Sequence, residues 1–289
     1  MEKVDVIINV YGKPYQTLCT LKSLTEHCGS HIDMIYFINE RDSLFHDDSM
    51  WLARCFPNID PYIPPENHGF EPRKEKEYYD DKIHRWCIKY QYGVEKSDKK
   101  YVFITHNDVL YTGDIIGDML FQIGDSVGIG QIGQCWNCPA NKANVCDGNK
   151  MENYRPTYEE ILGIMDVYKT ARTSIENVDK EYPMPLPECR LNEFACLINR
   201  EITVKETWPN RDSPLFGTLN GKHGVDMGCE WFRSMVLKGY KFKDYDIYKT
   251  SQHGYFSPIN CGLMAQKDED LYRQCETAAN YYYLEHYDS

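Results

Sequence analysis

Residues 101 to 108 read YVFITHND: five residues of a buried strand, then a histidine, an amide and a carboxylate. In open α/β sheets ligands sit outside the carboxyl ends of the strands, so His106, Asn107 and Asp108 fall where chemistry is expected. Carboxylate and imidazole suit Mg2+ or Mn2+. One such ion would supply the positive charge that a phosphate-bearing ligand needs. The plainer reading is a polar turn from strand to helix, with Asp108 or Thr112 capping the next helix.

Two further β-rich runs end in similar groups. VDVIINVYG (4–12) closes on Val10, Tyr11 and Gly12, and IDMIYFINERD (32–42) closes on Asn39 to Asp42. Ends of parallel strands share one edge of a sheet, where such groups can converge on a nucleotide. Tyr11 also reads as an aromatic at the core edge, and Asn39 as a turn residue. ENHGF (66–70) adds Asn67 and a glycine before the next helix. Neither GxxxxGK(S/T) nor GxGxxG follows the first strand, so the usual cradles for ATP and dinucleotides are missing.

A second constellation is CWNCPANKANVC (135–146), which holds Cys135, Cys138 and Cys146. Tetrahedral zinc takes four thiolate or imidazole ligands, and a Cys-x2-Cys pair commonly supplies two of them. Cys189, in the stiff PLPECR loop, is the fourth candidate. An irregular segment with little apolar periodicity would gain its order from the ion. An Fe–S cluster would use the same four thiolates, and unligated loop cysteines are the bland alternative. A redox Cys-x-x-Cys fits less well, because it belongs between a strand and a helix start. The chain has 12 cysteines, and those outside this group are scattered and read as small core residues.

The elements that must position these groups are legible in the periodicity. Strand 4–12, a helix from Pro14 with Leu18, Leu21 and Leu24 on one face up to Gly29, and strand 32–42 make a βαβ unit, hence a parallel sheet. FPNIDPYIPPENHGFEPRKEK (56–76) reads as a surface connection. Tyr79, Ile83, Trp86, Cys87, Tyr90 and Val94 predict one helix. After strand 101–105 come a helix over 114–123 and a strand over 126–133. Residues 135–156 are irregular, and Tyr158 to Tyr168 restore a helix. Leu191, Phe194 and Ile198 predict a further helix after PMPLPE. Trp231 to Val236 form another, ending at Gly239, and YKFKDYDIY alternates as a strand. One domain is expected: a nucleotide-binding half over 1–132, a Cys-rich insertion over 133–156 and an acceptor half over 157–289.

A length of 289 residues with 42% hydrophobic content supports a sizeable core. The net charge of −12 argues against a broad nucleic-acid surface. No apolar run approaches the ~20 residues of a membrane span, and the start is not a signal peptide. The expected location is the cytosol, or the inner face of a membrane as a peripheral protein.

Taken in order, these stretches resemble family 2 glycosyltransferases of the GT-A fold. VDVIINVYGKPYQTLCTLKSL resembles the family's opening strand and the loop under the nucleotide, ENHGF its asparagine–glycine segment, and YVFITHNDV the strand leading to its Asp-x-Asp metal motif. HGVDMGCEWFRSMVLKGYKF (223–242) is similar to the acceptor-site helix, and TSQHGYF (250–256) carries the late histidine, His253, that completes the metal site. The resemblance implies an α/β fold with a mostly parallel, Rossmann-like central sheet. It also implies a UDP- or GDP-sugar donor, Mn2+ or Mg2+ held by Asp108 and His253, and a glycan or glycolipid acceptor in polysaccharide or glycoconjugate synthesis. Val10, Tyr11, Asn39, Asn67, His106, Asn107 and Asp108 would contact the nucleotide. Two departures stand out. His106 replaces the first aspartate of the motif, and the family's Glu-Asp pair is represented only by Asp226 and Glu230 flanking its place. In an inverting mechanism a carboxylate deprotonates the acceptor; Asp226 is the first candidate and Glu230 the second. Helix N-capping is the structural alternative for Asp226, and a satisfied surface imidazole for His253.

His106 in place of aspartate also favours a competing class, a GT-A-like binding protein without catalysis, organised around a cysteine-bound metal. A sugar-phosphate nucleotidyltransferase is disfavoured by the missing glycine-rich, arginine-bearing first loop.

Overall fold

VDVIINV is apolar apart from Asp5 and Asn9, and it forms strand β1 (Val4–Val10), buried along its whole length. Both polar residues are used. Asp5 accepts from Ser97 Oγ at 2.6 Å and from the Met34 N–H at 3.1 Å, while Asn9 donates to Glu40 at 3.1 Å. The computed structural model describes residues 2–40, 48–66, 80–169, 174–209, 212–218, 226–257 and 268–288.

The other strands are β2 (Ile32–Asn39), β3 (Ile59–Tyr62), β4 (Tyr101–Thr105), β5 (Val109–Tyr111), β6 (Gly128–Ile132), β7 (Leu191–Asn199), β8 (Phe242–Asp244) and β9 (Ser251–His253). Seven of them build one sheet in the order β3-β2-β1-β4-β7-β6-β8, and β5 pairs with β9 separately. All neighbours in the large sheet run parallel except β7, which is antiparallel to both β4 and β6. This is the mixed α/β, mostly parallel architecture that the βαβ pattern predicts.

Helices cover both faces. Val4, Val6, Ile8 and Val10 meet α1 (Pro14–Cys28) and, after two short helices α2 (Lys82–Trp86) and α3 (Gln91–Lys96), α4 (Ile115–Gln122) in one core. Ile7 points the other way, towards Val94 of α3 and Trp231, Phe232 and Met235. The remaining helices are α5 (Pro139–Lys142), α6 (Tyr158–Val167), α7 (Arg200–Thr207), α8 (Cys229–Leu237) and α9 (Glu269–His286). Among the described residues no helix is long and apolar enough to cross a membrane.

Pro14 opens α1 as its position predicts, but the helix has no side-chain cap of its own. Glu276 of α9 supplies one from across the fold, accepting from the Tyr15 N–H at 2.8 Å and the Gln16 N–H at 3.4 Å. A carboxylate at a helix start satisfies orphan donors and complements the dipole.

Four expectations are corrected. Leu191, Phe194 and Ile198 lie on β7, not on a helix: a central strand buried on both faces loses its period-2 signal, and these three positions mimic helical spacing. The supposed surface connection contains β3, an edge strand in which Pro61 is tolerated because one side of its backbone needs no partner. The helix expected around Ile83 to Val94 breaks into α2 and α3 at Tyr90, whose φ is 67° and whose N–H donates to Asn9 Oδ1 at 3.2 Å. Tyr79 lies outside the described residues. Finally, neither Asp108 nor Thr112 caps a helix. Strand β5 comes directly after Asp108, and Asp114 caps α4 through a 2.9 Å bond from the Gly117 N–H.

Candidate functional site

The THND turn is held from below by hydroxyls. Asn107 Nδ2 donates to Gly12 O at 3.1 Å and to Thr17 Oγ1 at 3.0 Å. One turn further along α1, Thr20 Oγ1 accepts from the Val109 N–H at 3.2 Å, and Ser23 Oγ from the Tyr111 N–H at 3.1 Å. Two buried hydroxyls on one helix face, Thr20 and Ser23, thus replace the missing strand partner on that edge of β5, and Thr17 on the same face holds the Asn107 side chain. The other edge pairs with β9, and the register sets His253 opposite Val109. Late in the chain, the Gly254 N–H donates to Asp108 O at 2.8 Å and locks this alignment.

His106, Asp108 and His253 thereby meet at the carboxyl end of β4, their candidate ligand atoms all within 4.8 Å of one another. His253 Nε2 is 3.3 Å from Asp108 Oδ1, and His106 Nδ1 is 4.0 Å from the same oxygen. Phe194 stacks on the His253 ring, with centroids 4.4 Å apart and planes 13° apart, which fixes that imidazole. Asp108 Oδ1 is buried, and among the described residues its nearest polar neighbours are these two imidazoles. Its other oxygen, Oδ2, is taken by Lys13 Nζ at 2.7 Å. Burial would raise the Asp108 carboxyl, but the Lys13 ammonium and the His253 and His106 imidazoles outweigh it and hold the group well below the usual carboxylate range. A buried anionic oxygen left over between two imidazoles is a donor set that fits a divalent cation.

Lys13 is a residue that the sequence does not single out. It stands after Gly12 in the left-handed region, at φ 56°, and its N–H donates to Tyr272 Oη at 2.9 Å. Gly12, at φ 61°, makes this turn possible.

From this trio a string of alternating charges runs into the second half of the chain. His106 Nε2 is 3.6 Å from Glu193 Oε1, and Glu193 pairs with Arg190 at 2.9 Å. Arg190 Nη2 lies 3.3 Å from Asp226 Oδ2. Asp226 also accepts from Gln134 Nε2 at 3.2 Å and stands just before α8. Asp226 is therefore tied into the same network as Asp108, with its side chain 15% exposed. Glu230 occupies the first turn of α8, partly buried.

Burial would raise the Glu193 carboxyl, but Arg190 and then His106 bring it down to about 2. A depressed carboxyl stabilises the fold above its unfolded value near 4.5, and that contribution is lost as pH falls towards about 2. Glu193→Gln should thus lower stability near neutral pH by on the order of 3 kcal/mol. It should also flatten the acid loss between about pH 4.5 and pH 2, read by urea unfolding across that range. An unchanged pH slope would mean that Glu193 is not held ionised by this network.

The other expected nucleotide contacts are spread along the same sheet edge and beyond it. Val10 is fully buried, and its carbonyl accepts from the Glu40 N–H at 2.9 Å. Tyr11 lies half-buried beyond the end of β1. Asn39 ends β2, with a buried Oδ1 that accepts no hydrogen bond from the described residues. Asn107 faces inward, so it shapes the loop. Asn67 lies outside the described residues. Cys135, Cys138, Cys146 and Cys189 line one small cavity away from the trio.

No protein-family model matches the chain, and no curated protein matches it either. Among solved structures it is similar to mannosyltransferase PcManGT from Pyrobaculum calidifontis, in complex with GDP-Man and Mn2+. The identity is 11% over 84% of this chain and 54% of that one, with TM-score 0.45. Core-mannan synthase A from Aspergillus fumigatus in its Mn/GDP form is 14% identical over 88% and 75% of the two chains, with TM-score 0.43. S. aureus TarS with UDP-GlcNAc is 11% identical over 86% and 57%, with TM-score 0.44. The chain spans little more than half the length of the first and third of these.

Proposed function

We propose that the protein is a glycosyltransferase of the GT-A type, moving a sugar from a UDP- or GDP-sugar to a hydroxyl of a glycan or glycolipid acceptor. The reaction would serve polysaccharide or glycoconjugate synthesis, in the cytosol or at the inner face of a membrane. The observation that carries this reading is the meeting of His106 and His253 on the buried Oδ1 of Asp108, at the sheet edge where ligands bind.

Asp108 and His253 would hold Mn2+ or Mg2+, with His106 beside them. When bound, the cation stabilises negative charge developing on the leaving diphosphate. Lys13 holds Asp108 ionised and in place. On the acceptor side, Asp226 takes the hydroxyl proton while the acceptor oxygen bonds to the anomeric carbon. The bond from that carbon to the diphosphate breaks, and its electron pair leaves with the nucleotide. Attack from the face opposite the leaving group inverts the anomeric centre. Arg190 and Gln134 orient the Asp226 carboxylate for this task.

Thermal unfolding with a panel of nucleotides tests the reading. A ligand at a hundred times its dissociation constant adds about 2.7 kcal/mol. UDP or GDP should stabilise the protein in a Mn2+-dependent way, and ATP and NAD should not. No shift with any nucleoside diphosphate would remove the transferase reading.

A further inference from the structure

Four cysteines from two separate segments reach one cavity of about 20 Å³. Cys135, Cys138 and Cys146 lie in the loop after β6, and Cys189 lies in the turn before β7. Gly133, at φ 79°, stands against two of them: a Cβ there would lie 3.2 Å from Cys135 Sγ and 3.8 Å from Cys189 Sγ. A left-handed glycine is what lets both sulfurs close on the same point of backbone. Burial raises all four thiols above their ordinary range, so a bound cation is what would hold them as thiolates. Asp147 and Glu188 line the same cavity, so its surroundings are acidic and would be balanced by a cation.

We propose that Cys135, Cys138, Cys146 and Cys189 bind one zinc ion, and that this ion fixes the carboxylate of Asp226. Thiolates select zinc over Mg2+ or Ca2+. Four thiolates are a donor set that tetrahedral zinc takes, and an iron–sulfur cluster would use the same four, so the experiment below separates the two. The sulfurs are less tightly gathered than the His106–Asp108–His253 ligand atoms, and the ion draws them together.

The link to Asp226 runs through sequence neighbours. Gln134 precedes Cys135 and donates to Asp226 at 3.2 Å. Arg190 comes next after Cys189 and pairs with Asp226 at 3.3 Å. The two segments are already tied by the Gly133 N–H, which donates to Arg190 O at 2.6 Å. An ion bridging Cys135 and Cys189 clamps both partners of Asp226 at once. This second part rests on the transferase reading; the zinc site itself does not.

Elemental analysis of protein purified without added metal should find one zinc per chain, released with a thiol-binding mercurial. Cys138→Ser and Cys189→Ser should each lose it. A zinc-free wild-type protein, zinc retained in both variants, or an iron–sulfur chromophore overturns the assignment, and the wild-type measurement stands even if the variants fail to fold. Stripping the ion should leave nucleotide binding unchanged while transfer falls by about 10²-fold, as for a displaced catalytic group. Zn2+ should restore transfer, and Mn2+ alone should not. Full transfer by zinc-free protein would overturn the clamp. A protein that holds zinc but binds no nucleotide would instead refute the transferase reading and leave the zinc site standing.

Discussion

Asp226→Asn is expected to bind the donor nucleotide normally and to transfer sugar about 10² times more slowly, or slower still. The amide keeps the shape of the side chain and can still accept from Gln134 Nε2 through its oxygen. Arg190 keeps a charged partner in Glu193, so no buried cation is stranded. What disappears is a group able to take a proton from the acceptor hydroxyl. Single-turnover transfer with saturating donor separates the chemical step from binding. Glu230 is the rival, in the first turn of α8. If Asp226→Asn turns over at nearly the normal rate while Glu230→Gln does not, the base is Glu230. The Arg190 pairing would then mark Asp226 as a structural anchor of the α8 start.

How far the sequence shows all this depends on where each signal lies. The first βαβ unit is legible because Pro14, the Leu18–Leu21–Leu24 face and two apolar runs are local signals. β7 is not, since a strand covered on both faces carries no alternation, and Asn192 and Glu193 inside it look like surface residues. His106 and Asp108 announce themselves by ending a buried strand. His253 joins them through two three-residue strands that are too short to show a period. Lys13, Arg190 and Glu193 read as solvated charges in one dimension, and only the fold shows that each is buried against an opposite charge. Thr17, Thr20 and Ser23 do carry a signal: three hydroxyls spaced along one face of α1 ask for polar partners. α9 is hidden in the sequence because its buried Glu276 looks like any exposed acid until α1 is set against it.

Asp108→Asn should abolish the Mn2+-dependent part of UDP or GDP binding, and His253→Ala should weaken it in the same direction. The physical case starts from the two oxygens of Asp108. Oδ2 belongs to Lys13 at 2.7 Å, and Oδ1 faces His253 and His106. An amide can still accept from Lys13, but it offers a cation no negative charge, and hard divalent ions prefer carboxylate oxygens. The substitution also strips a buried ammonium of its counter-charge, so a stability loss of about 3–5 kcal/mol is expected. For that reason the readout is a difference: nucleotide affinity with Mn2+ against affinity without it, each measured on the same folded variant by calorimetry well below its unfolding temperature. His253→Ala keeps the Lys13–Asp108 pair and removes only one imidazole. It separates loss of a ligand from loss of the buried ion pair. If Asp108→Asn binds UDP or GDP with the metal dependence of the wild type, then Asp108 serves only to neutralise Lys13 at the start of α1. The THND turn would then be a structural bracket between α1, β5 and β9, and the cation would have to be sought elsewhere along the sheet edge.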